Sequence, residues 1–264
     1  MMPNGPSSVD HYRQDSFVPA RPPKLLVSVR NAVEARVAMA GGADWIDLKE
    51  ALAGSLGPVE VETARAAVAA VAGRRCISAA LGELVDWATS PARRLLEVPE
   101  IRVVKLGLSG CALRSDWRER WTAAAQEVAA AGKQLVAVSY ADAEQAQAPP
   151  PLEIVLLATA ASCRYLLIDT FDKQAGSLPT HLDHERLQEI LNLAKQANIQ
   201  TVVAGGLLKE TLSQLPHRPI DLIAIRGAAC STGRSSLVRQ DLVERFRDAI
   251  AARWVREDRK SETI

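Results

Sequence analysis

From residue 25 onward, short runs of apolar residues alternate with stretches in which apolar residues recur every three or four positions. The first run, Leu25–Val29, reads as a strand, and Ala32–Ala40 follows it with Val33, Val37 and Ala40 at helical spacing before Gly41-Gly42 stops the pattern. Further strands are predicted at Trp45–Leu48, Cys76–Leu81, Ile101–Leu106, Gln134–Tyr140, Tyr165–Ile168, Thr201–Ala204 and Leu222–Ile225. Helical spacing returns after each of them, from near Pro58 and then over Pro91–Glu97, Trp117–Ala131, Leu152–Ala161, Asp183–Ala197, Lys209–Leu215 and Leu237–Ala252. Eight alternations with no linker between them predict an α/β fold, a single (β/α)8 TIM barrel, and the near-continuous apolar strands suit a parallel sheet covered by helices. The length of 264 residues is also that of one such barrel.

Composition narrows the setting. With 48% hydrophobic and 24% charged residues the chain falls among ordinary soluble globular proteins. A formal net charge of +1 and the lack of a basic block with interleaved aromatics argue against a nucleic-acid partner. No apolar run reaches the roughly 18 residues of a membrane helix. Residues 1–23 are polar and rich in Pro and Ser, without the apolar core of a secretory signal, so they read as a flexible N-terminal tail of a cytoplasmic protein. Residues 24–256 form the expected barrel domain and 257–264 a C-terminal tail. The four cysteines, Cys76, Cys111, Cys163 and Cys230, lack CxxC spacing, so neither a disulfide framework nor a metal site is expected.

The candidate chemistry sits where strands end. Asp47 and Lys49 close the second strand, Lys105 lies near the end of the fourth, and Asp169 with Lys173 follows the sixth. Charges at such positions are costly unless paired or used, and in parallel barrels the C-terminal strand ends carry the active site. The period of two puts Trp45, Asp47 and Lys49 on one face of their strand, opposite Ile46 and Leu48, which aims Asp47 and Lys49 into the barrel. A desolvated lysine near other cations has its pKa lowered and can attack a carbonyl as a free amine. On this reading Lys105 and Lys173 supply the positive field, and Asp47 and Asp169 move protons. The competing reading is a structural ion-pair layer plugging the barrel. Three lysines against two carboxylates leave a cation over, which favours an anionic ligand. After strands seven and eight, Gly205-Gly206 and Arg226-Gly227-Ala228 offer backbone for a phosphate cradle, and Gly54-Ser55-Leu56-Gly57 can close over Lys49. His181 with His184, the loop carboxylate Glu83, and Trp117 with Trp121 are weaker candidates; the two tryptophans are expected to pack against the barrel wall.

These motifs, taken in order, resemble those of the (5-formylfuran-3-yl)methyl phosphate synthase family. The resemblance runs from Gly41-Gly42-Ala43-Asp44 into Asp47-Leu48-Lys49 and Gly54-Ser55-Leu56-Gly57. It continues through Val104-Lys105-Leu106-Gly107-Leu108, Tyr140-Ala141-Asp142-Ala143, Asp169-Thr170 with Lys173, and Arg226-Gly227-Ala228-Ala229-Cys230. It implies a lyase of methanofuran-type cofactor biosynthesis that condenses two glyceraldehyde 3-phosphate molecules into a phosphorylated furan aldehyde. Lys49 would match the Schiff-base lysine, Lys105 and Lys173 the other site lysines, and Asp47 and Asp169 the site aspartates. No cofactor or metal is implied. The chain departs from the family pattern at Glu50-Ala51, at Gln174-Ala175-Gly176 and at Ser231-Thr232-Gly233-Arg234, where the Asp usual before the family's arginine is missing; these changes flank the site without removing its lysines or aspartates. The alternatives are another Schiff-base aldolase or isomerase acting on a sugar phosphate, and a non-catalytic barrel that binds a phosphorylated metabolite. The expected partner is a small phosphorylated substrate, and self-association into a homo-oligomer is a further expectation.

Overall fold

A computed structural model describes residues 22–217 and 219–261, with side chains described through Val255. The expected tail over residues 1–23 therefore lies almost entirely outside the described residues. Eight parallel strands follow one another around a closed barrel, and the last pairs with the first. They are β1 (Lys24–Val29), β2 (Trp45–Leu48), β3 (Cys76–Glu83), β4 (Ile101–Gly107), β5 (Gln134–Tyr140), β6 (Tyr165–Asp169), β7 (Gln200–Val203) and β8 (Leu222–Ile225). The α-helices are α1 (Ala32–Ala40), α2 (Val61–Val71), α3 (Trp117–Ala130), α4 (Pro151–Ala160), α5 (Leu178–His181), α6 (His184–Gln196) and α7 (Gln240–Ser261). This is the (β/α)8 barrel that the alternation predicts.

Two of the predicted helices take a tighter form. After β3 the connection is a pair of 3-10 turns, Leu84–Thr89 and Pro91–Glu97, and after β7 it is the 3-10 turn Lys209–Gln214. Pro91 accounts for the break in the first case, because it holds Ser90 in an extended conformation, from which the Ser90 hydroxyl caps the second turn. The last helix runs to Ser261, beyond the Ala252 where its apolar spacing fades. No Gly or Pro occurs in that stretch to stop it.

Two apolar layers surround the strands. An outer layer between strands and helices includes Ile46, Leu48, Val104, Leu106, Leu166 and Ile168. An inner one fills the barrel with Leu26, Val103, Val136, Val138, Leu167 and Val202, and Trp45 meets Tyr165 edge-on there at 5.6 Å. Alternation along β2 thus divides Ile46 and Leu48 from Trp45 as the period of two requires. On α1 the buried face differs from the one the valines suggest. Glu34, Ala35 and Ala38 are buried and Val33 is 58% exposed. Alanines let the helix lie close on the sheet, and Glu34 turns inward because a buried arginine waits for it.

Candidate active site

Above the apolar filling, the barrel carries one polar layer drawn entirely from strands. Asp47 of β2 accepts hydrogen bonds from the hydroxyls of Ser28 on β1 (2.9 Å) and Ser78 on β3 (2.7 Å), and Lys105 of β4 lies 2.5 Å from its Oδ1. Register makes this meeting inevitable, because Ser28, Asp47 and Ser78 are direct cross-strand neighbours. Both members of the ion pair are buried, so a carboxylate and an ammonium are each compensated where water cannot reach them.

Lys49 stands two residues further up the same face of β2, its main-chain N–H still bonded to Val29 O at 2.9 Å. The side chain is 92% buried, yet among the described residues it makes no ion pair and no side-chain hydrogen bond. Burial pushes its pKa down to about 8; the charges of Lys173 and Lys105 act in the same direction, against the pull of Asp169 and Asp47. About a tenth is therefore neutral amine at pH 7, against far less for an ordinary lysine, and the neutral amine is the form a nucleophile needs.

Opposite it, Asp169 ends β6 and is bridged by Lys173 Nζ at 2.5 Å, with Thr170 N–H donating to the same oxygen at 2.8 Å. Burial alone would raise the Asp169 pKa, but the ammonium groups of Lys173 and Lys49 outweigh it and hold the carboxyl below its usual value. Lys173 is tied down on its loop. Its Nζ also donates to the carbonyl and the hydroxyl oxygen of Thr170. Asp142, beyond β5, fixes the start of this loop by accepting from the N–H groups of Phe171 (2.6 Å) and Asp172 (2.8 Å).

A cavity of about 200 Å³ opens between these groups and the loops after β7 and β8. Lys49, Asp169 and Lys173 line one side, and Gly205, Gly206, Gly227 and Ala228 the other. Among the described residues, the main-chain N–H groups of those four residues have no acceptor. Gly205 is required where it stands: its φ is +98°, and a Cβ there would come within 3.0 Å of Thr170. The structure thus brings Lys49, Lys173, Asp169 and the glycine loops after β7 and β8 to one mouth, with the Asp47–Lys105 pair inside the barrel rather than among the cavity's lining.

Arg226 behaves differently from the expectation that it binds phosphate. Its guanidinium donates to both carboxylate oxygens of Glu34 (2.5 and 3.1 Å), to Ser28 O, to Ser236 O and to Arg234 O. All five of its N–H positions are thereby occupied, and its charge is neutralised by a buried carboxylate. What Arg226 can offer a ligand is its place at the start of the Gly227-Ala228 backbone.

Sequence reasoning assigned no definite role to several residues in and around the mouth. Glu34 was hidden by the valine-based phase of α1. Arg234 lines the cavity and donates to Gly54 O at 3.0 Å, tying the β8 loop to the Gly-rich loop after β2. Ser55, in that loop, donates to Thr170 O at 3.0 Å. Glu83 reaches inward because β3 shifts register at Gly82, whose φ is +90°. Its carboxyl binds Tyr140 Oη at 2.7 Å and Ser109 N–H at 2.8 Å, and burial pushes its pKa up. The bulge and the tertiary pairings carry no local sequence signal. Trp117 and Trp121 pack into the outer layer, and no cluster of three or more His, Cys, Asp or Glu side chains suited to a metal occurs among the described residues. No helix among them is long and apolar enough to cross a membrane.

Fold and mouth together define a parallel (β/α)8 barrel of the kind whose chemistry lies at the C-terminal strand ends. Residues 25–247 match the sequence profile of the family described as 4-HFC-P synthase, and the chain belongs to that family. It is 32% identical to the (5-formylfuran-3-yl)methyl phosphate synthase of Methanosarcina mazei over 84% of its own length and 97% of the relative's. It is 30% identical to that of Methanopyrus kandleri over 87% and 99%. Among solved structures it is similar to a thiamine phosphate pyrophosphorylase from Pyrococcus furiosus, with TM-score 0.55 and 19% identity over 87% of this chain and 96% of that one. A phosphoribosyl anthranilate isomerase from Thermus thermophilus gives TM-score 0.56 and 13% identity over 87% and 98%. At such identities these two speak for the fold alone.

Proposed function

We propose that the protein is a cytoplasmic carbon–oxygen lyase that condenses two molecules of glyceraldehyde 3-phosphate into (5-formylfuran-3-yl)methyl phosphate through a Schiff base on Lys49. The observation that carries this reading is the state of Lys49: buried, without an ion-pair partner, and with a pKa lowered to about 8. Of the three lysines, Lys105 and Lys173 each hold a carboxylate at 2.5 Å, and the amine left over faces the cavity. Membership of the family supports the choice of reaction.

On this reading the neutral Lys49 amine adds to the aldehyde carbon of the first triose phosphate, and the carbonyl oxygen leaves as water. The resulting iminium draws electrons from the neighbouring C–H bond, whose proton passes to the Asp169–Lys173 pair. The enamine carbon then bonds to the aldehyde carbon of the second triose phosphate, and the adduct cyclises and dehydrates as Lys49 is released. Six carbons and one phosphate remain in the product, so the balance frees one phosphate and two waters. Asp47 and Lys105 stay paired beneath the reacting carbon and hold the charge pattern around Lys49. The backbone N–H groups of Gly205, Gly206, Gly227 and Ala228 receive the phosphate of the bound triose.

Incubation of the protein with glyceraldehyde 3-phosphate, with and without borohydride, tests the proposal. Mass spectrometry is expected to show the furan phosphate without reductant and a reduced adduct on the Lys49 peptide with it. Folded protein that yields neither product nor adduct would overturn this function.

A further inference from the structure

Besides Lys49, four cations stand at or just below the mouth of the barrel, and three of them are spent. Lys105 is paired with Asp47, Lys173 with Asp169, and Arg226 with Glu34. The fourth, Arg234, lines the same cavity as Lys49 and the β7 and β8 glycines. Among the described residues it has no carboxylate partner, and its one side-chain hydrogen bond, to Gly54 O, occupies a single N–H. The remaining N–H groups form a planar fork of the kind that grips phosphate in a bidentate fashion.

We propose that Arg234 is the side chain that binds the substrate phosphate and sets the preference for phosphorylated aldehydes. The inference deepens the function proposed above and rests on its placement of a triose phosphate in this cavity. Arg226 serves it indirectly, as a positioning residue. Its Nε holds the Arg234 carbonyl at 2.9 Å and its Nη2 the Ser236 carbonyl at 3.0 Å, so the buried Arg226–Glu34 pair braces the loop that carries Arg234. Phosphate at the fork would meet the free N–H groups of the glycine loops from the other side. The bond to Gly54 would at the same time keep the Gly54–Gly57 loop drawn over the mouth.

The test compares borohydride trapping of glyceraldehyde 3-phosphate and of unphosphorylated glyceraldehyde by the full chain and by Arg234→Gln and Arg234→Lys. The ratio of the two trapping efficiencies is expected to fall about 10- to 100-fold in Arg234→Gln, the scale of charge-assisted hydrogen bonds lost from one anion. Arg234→Lys should recover part of that ratio, since it restores the charge without the fork. An unchanged ratio in Arg234→Gln would overturn the assignment. So would equal loss for both aldehydes, because that is what a merely distorted mouth produces. A second measurement stands apart from the chemistry at Lys49. Millimolar inorganic phosphate should raise the melting temperature of the unsubstituted protein and raise that of Arg234→Gln far less. If neither aldehyde traps but phosphate discriminates between the two proteins, the Schiff-base function fails and the Arg234 site stands. If phosphate stabilises both equally, the Arg234 site fails whatever the trapping shows.

Discussion

Two aspartate–lysine pairs lie on either side of Lys49, and they differ in what surrounds them. Asp47 and Lys105 sit inside the barrel with side chains 1% and 6% exposed, every neighbour being supplied by a strand. Asp169 and Lys173 sit at the rim, 3% and 14% exposed, held by one loop and facing the cavity. The same two residue types therefore do different work. Inside, four strands hold the pair in one arrangement, and the charges cancel in a place water does not enter. At the rim, the pair borders the space a ligand would fill, where a proton can be passed on. The lysine between them belongs to neither pair, and burial beside the two neighbouring ammonium groups holds its pKa down at about 8.

The largest effect is expected at the residue between the pairs. Lys49→Arg should abolish both turnover and borohydride trapping, because a guanidinium keeps the charge but forms no imine; a trapped adduct mapping to the Lys173 peptide would reverse the assignment. The pH dependence carries the same signature. Trapping should rise with pH through about 8 and level off above it. Stability should also climb, since the folded pKa lies below the 10.5 of an ordinary lysine and the unfolded chain binds the extra proton between those values. That contribution is fully unfavourable below about pH 8 and relieved toward pH 10.5, so a Lys49→Met variant should lose this part of the slope in urea melts.

A smaller loss is expected at the rim. Lys173→Arg should cost most of the turnover yet leave trapping at Lys49 intact, because the substituted cation still pairs with Asp169 but its proton is too tightly held to be passed. Steady-state rates and adduct yields on one preparation separate the two steps. If turnover and trapping fell together, the rim pair would be structural like the inner one.

The inner pair should answer in stability first. Asp47→Asn leaves the Lys105 ammonium uncompensated in the barrel, a change on the order of 3–5 kcal/mol in urea unfolding. Combining it with Lys105→Met removes the stranded charge, and much of that loss should return. Failure of the double variant to recover would mean that the layer is more than an ion pair in a plug.

The order of elements was legible in the chain because periodicity is local. Each strand shows as an apolar run and each helix as a recurring spacing, and eight of them in sequence admit few closed arrangements. Lys49, Lys105 and Asp169 could be placed at strand ends for the same reason, and Asp47 could be turned inward by counting in twos along β2. What the residues are paired with was not local. Glu34 is 192 positions from Arg226, and Arg234 is 180 from the Gly54 carbonyl it holds. Nothing in the neighbourhood of either arginine distinguishes the one that is neutralised from the one that is free. The register shift that brings Glu83 to Tyr140 likewise depends on how β3 and β4 pair. The sequence determined a barrel and its ring of charged strand ends, since those follow from short-range spacing. Only the tertiary structure decided which charges cancel and which remain, because ion pairing is settled by distance in space between side chains far apart along the chain.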